Sequence, residues 1–126
     1  MKYLILILVG VITIQSIISP TYSVKVQGKS MEPFLSEEDN VIITEIRNNK
    51  DLNIGDIVLY ENDNNKIMHR IMFIGEDEKG WYAFIKGDAN TCPDGEKCWL
   101  EDNKLKSIVF KIRENQIIGK IENNLY

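Results

Sequence analysis

The sequence has one histidine and two cysteines, too few soft ligands for most metal chemistry. Cys92 and Cys98 are spaced C-x5-C, which is not a zinc pairing, and no second Cys or His pair completes four ligands. No metal and no cofactor is therefore expected. Dense basic runs are also missing. Lys and Arg occur singly or in pairs, and the net charge is -4 at pH 7. Phosphate binding needs a basic patch, so nucleic acid is excluded as a partner. The chain shows no internal repeat, no low-complexity tract and no interdomain linker. Its 126 residues are 44% apolar and 27% charged, a balance that suits one packed domain and argues against general disorder.

One long apolar run stands out. Tyr3 to Ser19, YLILILVGVITIQSIIS, carries no charge. As a helix it spans ~26 Å at about 1.5 Å per residue. The hydrocarbon core of a bilayer is about 30 Å thick, which the run reaches if Tyr22 and Val24 extend it. Lys2 and the terminal amine precede it and favour an inside N-terminus, with the rest of the chain outside. Two readings follow. One is a retained signal anchor over residues 1–23, which is favoured. The other is a cleavable signal peptide with Thr21-Tyr22-Ser23 as a small-x-small site. Both put residues 24–126 outside the cytoplasm. There Cys92 and Cys98 form either a disulfide closing a short loop or two free thiols.

From Val24 onward the pattern predicts an all-β fold. Val41–Ile46, Ile57–Tyr60, Ile67–Ile74 and Trp81–Lys86 are β-branched or aromatic runs, and polar or Gly-containing turns separate them. Gly75 to Gly80 reads as a turn and Ala89 to Asn103 as a polar loop. Ser107–Arg113 and Gln116–Ile121 are further strands. The one helical hint in this part is a turn near Ser30.

Three stretches carry candidate chemistry. In Gly28-Lys29-Ser30-Met31-Glu32-Pro33, a Ser follows a Gly-containing turn, where its hydroxyl is exposed and nearby N–H groups could bind an oxyanion. In Met68-His69-Arg70, a neutral imidazole is suited to take a hydroxyl proton at physiological pH. In Gly87-Asp88-Ala89-Asn90, with Asp94 beyond, a carboxylate could hold the second ring nitrogen. Each alone is more simply a turn serine, a strand histidine or a strand-end turn. Together they supply nucleophile, base and acid in the order Ser, His, Asp.

This composite resembles the signal peptidase I family. The matching boxes are Ser30-Met31-Glu32-Pro33, Gly55-Asp56-Ile57-Val58-Leu59-Tyr60, His69-Arg70-Ile71 with Gly75, Gly87-Asp88-Ala89-Asn90 with Asp94, and Ile118-Gly119-Lys120-Ile121. They run in order along nearly the whole chain. A histidine at the base position is similar to the archaeal and endoplasmic-reticulum type; the common bacterial form has lysine there. Lys66 lies three residues from His69, and strand alternation sends the two to opposite faces.

The resemblance implies a compact β-domain of the signal-peptidase and LexA type behind one N-terminal transmembrane helix. It implies a serine endopeptidase with Ser30 as nucleophile and His69 as base. Asp94 is favoured as the imidazole partner and Asp88 as a supporting acid, with the order of these two left open. The implied partners are secretory preprotein signal peptides and the lipid bilayer; whether further membrane subunits join is also left open. The implied location is the cell membrane, or the endoplasmic reticulum membrane of a eukaryote. An extended substrate would lie beside an exposed strand, with Met31, Phe34 and Ile71 as candidates for its pockets or for plain core packing. Gly28 stands where many relatives carry a serine, and Thr91 to Cys98 departs from the usual loop. The alternatives are a related membrane peptidase with a specialised exported substrate, and a tethered β-domain that binds peptides without cutting them.

Overall fold

The computed structural model describes residues 20–122. The expected anchor lies almost wholly outside the described residues, and among those described no helix is long and apolar enough to cross a membrane. The described chain is all-β. Its strands are β1 (Thr21–Lys25), β2 (Asn40–Glu45), β3 (Ile57–Asn62), β4 (Asn65–Asp77), β5 (Gly80–Lys86), β6 (Gly95–Glu101), β7 (Lys104–Val109), β8 (Ile112–Arg113) and β9 (Ile117–Ile121). Seven of them form one sheet in the order β1-β2-β9-β3-β4-β5-β8, and β6 pairs with β7 alone. All the pairings are antiparallel.

β3 explains how the sheet packs. Alternate side chains of a strand point to opposite faces, and Ile57 to Tyr60 are all buried. Ile57 and Leu59 enter a core with Met31, Leu35, Val41 and Ile43. Val58 and Tyr60 enter a second core with Ile71, Ile85 and Ile112. A strand buried on both faces reads as a continuous apolar run, as this one does. Two-residue turns at Asp63-Asn64 and Asp102-Asn103, all four at positive φ, join β3 to β4 and β6 to β7. Asn and Asp tolerate that backbone region, which the right-handed strand twist favours in tight hairpins.

Four sequence expectations change. Thr21–Ser23, expected as the end of the anchor, belong to β1 and pair with Ile42 to Thr44 of β2. Exposed and half-buried residues alternate along this strand and turn Tyr22 and Val24 inward, so their apolarity serves the sheet. Gly75, expected to open a turn, lies inside β4. A Cβ there would come within 2.6 Å of the Tyr82 ring, so the glycine makes room for the aromatic across from it. Ala89 to Asn103, expected as a loop, contains β6. Most of β6 is exposed, and it lacks the half-buried alternation by which strands are recognised. The expected strand Ser107–Arg113 breaks after Val109: its first part pairs with β6 and its last two residues join the main sheet beside β5.

Candidate active site

Ser30 sits in a turn between β1 and β2. Gly28, at φ 80, bends the chain where a side chain would be strained. The Gly28 N–H is taken by Glu37 Oε2 at 3.0 Å. Beyond Ser30 the chain makes a helical turn, with the Leu35 N–H donating to the Met31 carbonyl at 2.9 Å. Met31 and Leu35 are buried in the first core, so hydrophobic anchoring fixes the turn that presents Ser30. The Ser30 carbonyl accepts the Ala89 N–H at 2.8 Å, and Asn90 N–H closes a turn on the Gly87 carbonyl. The serine turn and the Gly87–Asn90 turn are thereby held face to face.

His69 comes from β4 opposite Val58 of β3. The Gly55-Asp56 turn before β3 fixes β4 just beyond the histidine: Gly55 N–H donates to the Ile71 carbonyl and Ile71 N–H to the Asp56 carbonyl. His69 Nε2 lies 2.8 Å from Ser30 Oγ. Its Nδ1 lies 2.7 Å from Asp94 Oδ2 and 2.9 Å from Oδ1. The imidazole and carboxylate side chains are only 11% and 12% exposed, which shields their contact from water. Asp94 as a carboxylate only accepts, so Nδ1 carries the proton and Nε2 is left to accept from the serine hydroxyl. That tautomer is the one a general base needs. The Asp94 backbone is pinned on both sides: its N–H donates to Ile85 and its carbonyl accepts from Phe110. Its Oδ2 also accepts the Tyr60 hydroxyl.

Asp88 is placed elsewhere. Arg70 Nε and Nη2 grip its two oxygens at 2.9 and 2.8 Å, while Nη1 donates to the Gly55 carbonyl. Those hydrogen bonds hold the Asp88 carboxyl below the usual carboxylate range. Asp88 therefore braces the Gly87–Asn90 turn against β4 and makes no hydrogen bond to the imidazole. Cys92 and Cys98 form a disulfide, and the loop it closes contains Asp94. Among the described residues no group of three His, Cys, Asp or Glu is gathered in a way that could hold a metal ion.

Ser30 and His69 open onto a cleft of about 630 Å³, bordered by Tyr22, Val24, Met31, Leu59 and Met68 among others. Of the three expected pocket residues only Met31 borders it. Ile71 is buried in the second core, and Phe34 lies under the Arg70 guanidinium, 4.9 Å from it. β1 forms one wall of the cleft, although Thr21–Ser23 are expected from sequence as the end of the anchor. Lys66 also borders the cleft, so alternation does not remove it from this side. The ring of His69, however, is what reaches the serine hydroxyl. Tyr60 was missed as part of the site because an apolar run gives no signal that one hydroxyl within it will meet a carboxylate.

The family model described as Peptidase S24-like matches residues 9–88, which is more than half of the chain. The match includes Ser30, His69 and Asp88 and ends before Asp94. No curated protein matches the sequence.

Proposed function

We propose, because the chain belongs to the Peptidase S24-like family of serine peptidases, that it is a membrane-bound endopeptidase of the signal peptidase I type. Its substrates are signal peptides of secretory preproteins, cut on the outer face of the membrane. The observation that carries this reading is the 2.8 Å contact of Ser30 Oγ with His69 Nε2, with Asp94 on the other ring nitrogen. Hydrogen-bond reach between nucleophile and base is the geometric requirement for activating a hydroxyl.

The chemistry runs as follows. His69 Nε2 takes the Ser30 proton as Oγ bonds to the scissile carbonyl carbon. The Ser30 N–H, which makes no hydrogen bond among the described residues, faces the resulting oxyanion. The imidazolium, steadied by Asp94, returns its proton to the leaving amine as the C–N bond breaks. The signal peptide stays on Ser30 as an ester. Water then gives a proton to His69 as it attacks the ester carbonyl; His69 returns that proton to Ser30 Oγ as the ester C–O bond breaks, and the peptide leaves as an acid that ionises in solvent.

Two further features support the substrate class. Among the described residues β1 is the edge of the seven-stranded sheet and has β2 on one side only. An extended peptide can pair with its free edge, main chain to main chain, and run towards Ser30. The apolar wall of Val24, Leu59 and Met68 suits the uncharged residues of a signal peptide. The Cys92–Cys98 disulfide accords with a domain outside the reducing cytoplasm.

The test is cleavage of a preprotein by the purified full chain in detergent micelles. Ser30→Ala and His69→Ala each remove cleavage while the chain stays folded, and a metal chelator has no effect. Cleavage at the wild-type rate by either variant rules out the assignment.

A further inference from the structure

We propose that Tyr60 is a positioning residue that acts through Asp94 to set the pH at which the Ser30–His69 pair works. The inference rests on the peptidase reading above and extends it to a residue that makes no hydrogen bond to the serine or the imidazole.

Tyr60 lies on β3 with no solvent exposure, and its ring is packed in the second core. A phenylalanine would bury the same ring without a hydroxyl to satisfy, since a buried polar group without a partner is costly. The hydroxyl is satisfied by one atom, Asp94 Oδ2, at 2.5 Å. That same oxygen meets His69 Nδ1 at 2.7 Å. Two donors therefore share one carboxylate oxygen, and one of them is the base's own ring. Burial, and then the bond to Asp94, push the phenol well above its ordinary value, so it stays a neutral donor throughout the working pH range.

A donor on the shared oxygen draws negative charge away from the imidazole. The imidazolium is then less favoured than it would be beside an unshared carboxylate, and the ring stays available as a base at lower pH. The donor also stops the carboxylate from turning away from Nδ1. The other charged groups around the ring leave this role to Asp94. Asp88 is gripped by Arg70. Lys66 of β4 and Lys25 of β1 border the cleft on its exposed side. Ser30 contributes only its hydroxyl.

The chain's single histidine makes the test direct, because its ring C–H signals titrate without overlap. Tyr60→Phe keeps the ring and removes the oxygen. In the full chain in micelles, the His69 titration midpoint moves to higher pH in this variant. On the acid side kcat/KM falls about tenfold, and it recovers towards wild type on the alkaline side. In an Asp94→Asn background, Tyr60→Phe leaves the midpoint where it was. An unmoved midpoint in the single variant overturns the proposal, and so does an equal shift in both backgrounds. Should Tyr60→Phe fail to fold, the wild-type hydroxyl proton of Tyr60 decides: its resonance follows the His69 titration, and indifference to it overturns the proposal. A wild-type chain that cleaves no preprotein sinks the peptidase reading instead, so the two failures are told apart.

Discussion

Gly87 offers the sharpest test of how tightly the site is packed. It is buried between the end of β5 and the Asp88 turn. Its φ is not in the left-handed region, so alanine meets no backbone strain there. The obstacle is space. A Cβ would lie 2.7 Å from Asn90 Nδ2, 2.8 Å from the Ser30 carbonyl oxygen and 2.9 Å from His69 Nε2, where ordinary contact is 3.4–4 Å. The Asn90 side chain can swing away. The Ser30 carbonyl cannot move freely, because the Ala89 N–H holds it at 2.8 Å. Relieving the clash therefore means a shift of about 0.6 Å in the serine turn or the imidazole. Productive geometry tolerates displacements of only about 0.5 Å, and a shift near 1 Å can cost about a hundredfold. Gly87→Ala should lower kcat/KM by roughly 10–100-fold and cost about 1–3 kcal/mol of stability by overpacking.

The control is Gly119→Ala. Its Cβ would lie 2.6 Å from both Ile43 Cγ2 and the Thr44 carbonyl oxygen, away from the serine and histidine. It should lose comparable stability and keep its turnover once folded. Both variants are measured by preprotein cleavage per folded molecule and by thermal melting. Equal losses of turnover in the two would show that activity follows global stability. Unaltered turnover in Gly87→Ala would show that the glycine does not set the Ser30–His69 contact. Either result refutes the reasoning.

Two further outcomes concern the supports of the site. Arg70 holds the Asp88 carboxyl below its ordinary value, so this pair's stabilisation is complete above the unfolded carboxylate value of about 3.9. It is lost as pH falls through the lowered folded value; thermal melts from pH 6 to pH 2 should decline more steeply for wild type than for Asp88→Asn. The disulfide joins residues six apart, a short loop whose closure entropy is worth about 2 kcal/mol. Cys92→Ser with Cys98→Ser should lower the denaturation midpoint accordingly, and an unchanged midpoint would show that pairing with β7 alone fixes this loop.

How much was legible in the sequence depends on whether a segment's burial follows a simple period. β3, β4 and β5 announce themselves as apolar runs, because they lie inside the main sheet. β1 hides because Thr21–Lys25 continues from an apolar stretch, and composition alone does not mark where a membrane-length run stops and an edge strand starts. β6 and β7 hide for the opposite reason. They are paired only with each other and largely exposed, so no buried face imposes an alternation. Gly75 misleads because a glycine that clears space for Tyr82 looks, in sequence, like a glycine that bends the chain.

The site shows the same division, and the two aspartates show its cause. The short boxes around Ser30, His69 and Asp88 are local patterns, visible because each needs a turn or strand of its own. Which acid meets the imidazole is not local. It depends on Arg70, the neighbour of His69 in β4. Consecutive strand residues point to opposite faces, so Arg70 and His69 reach in different directions from adjacent positions. A guanidinium binds a carboxylate through two parallel hydrogen bonds, and it takes Asp88 in that way. The imidazole is left with Asp94, carried to it by the loop that the disulfide closes. The cation beside the base thus separates the two acids, one bracing the turn and one holding the ring. Its presence at position 70 was written in the sequence, but its meaning needed the register of β4 against β5.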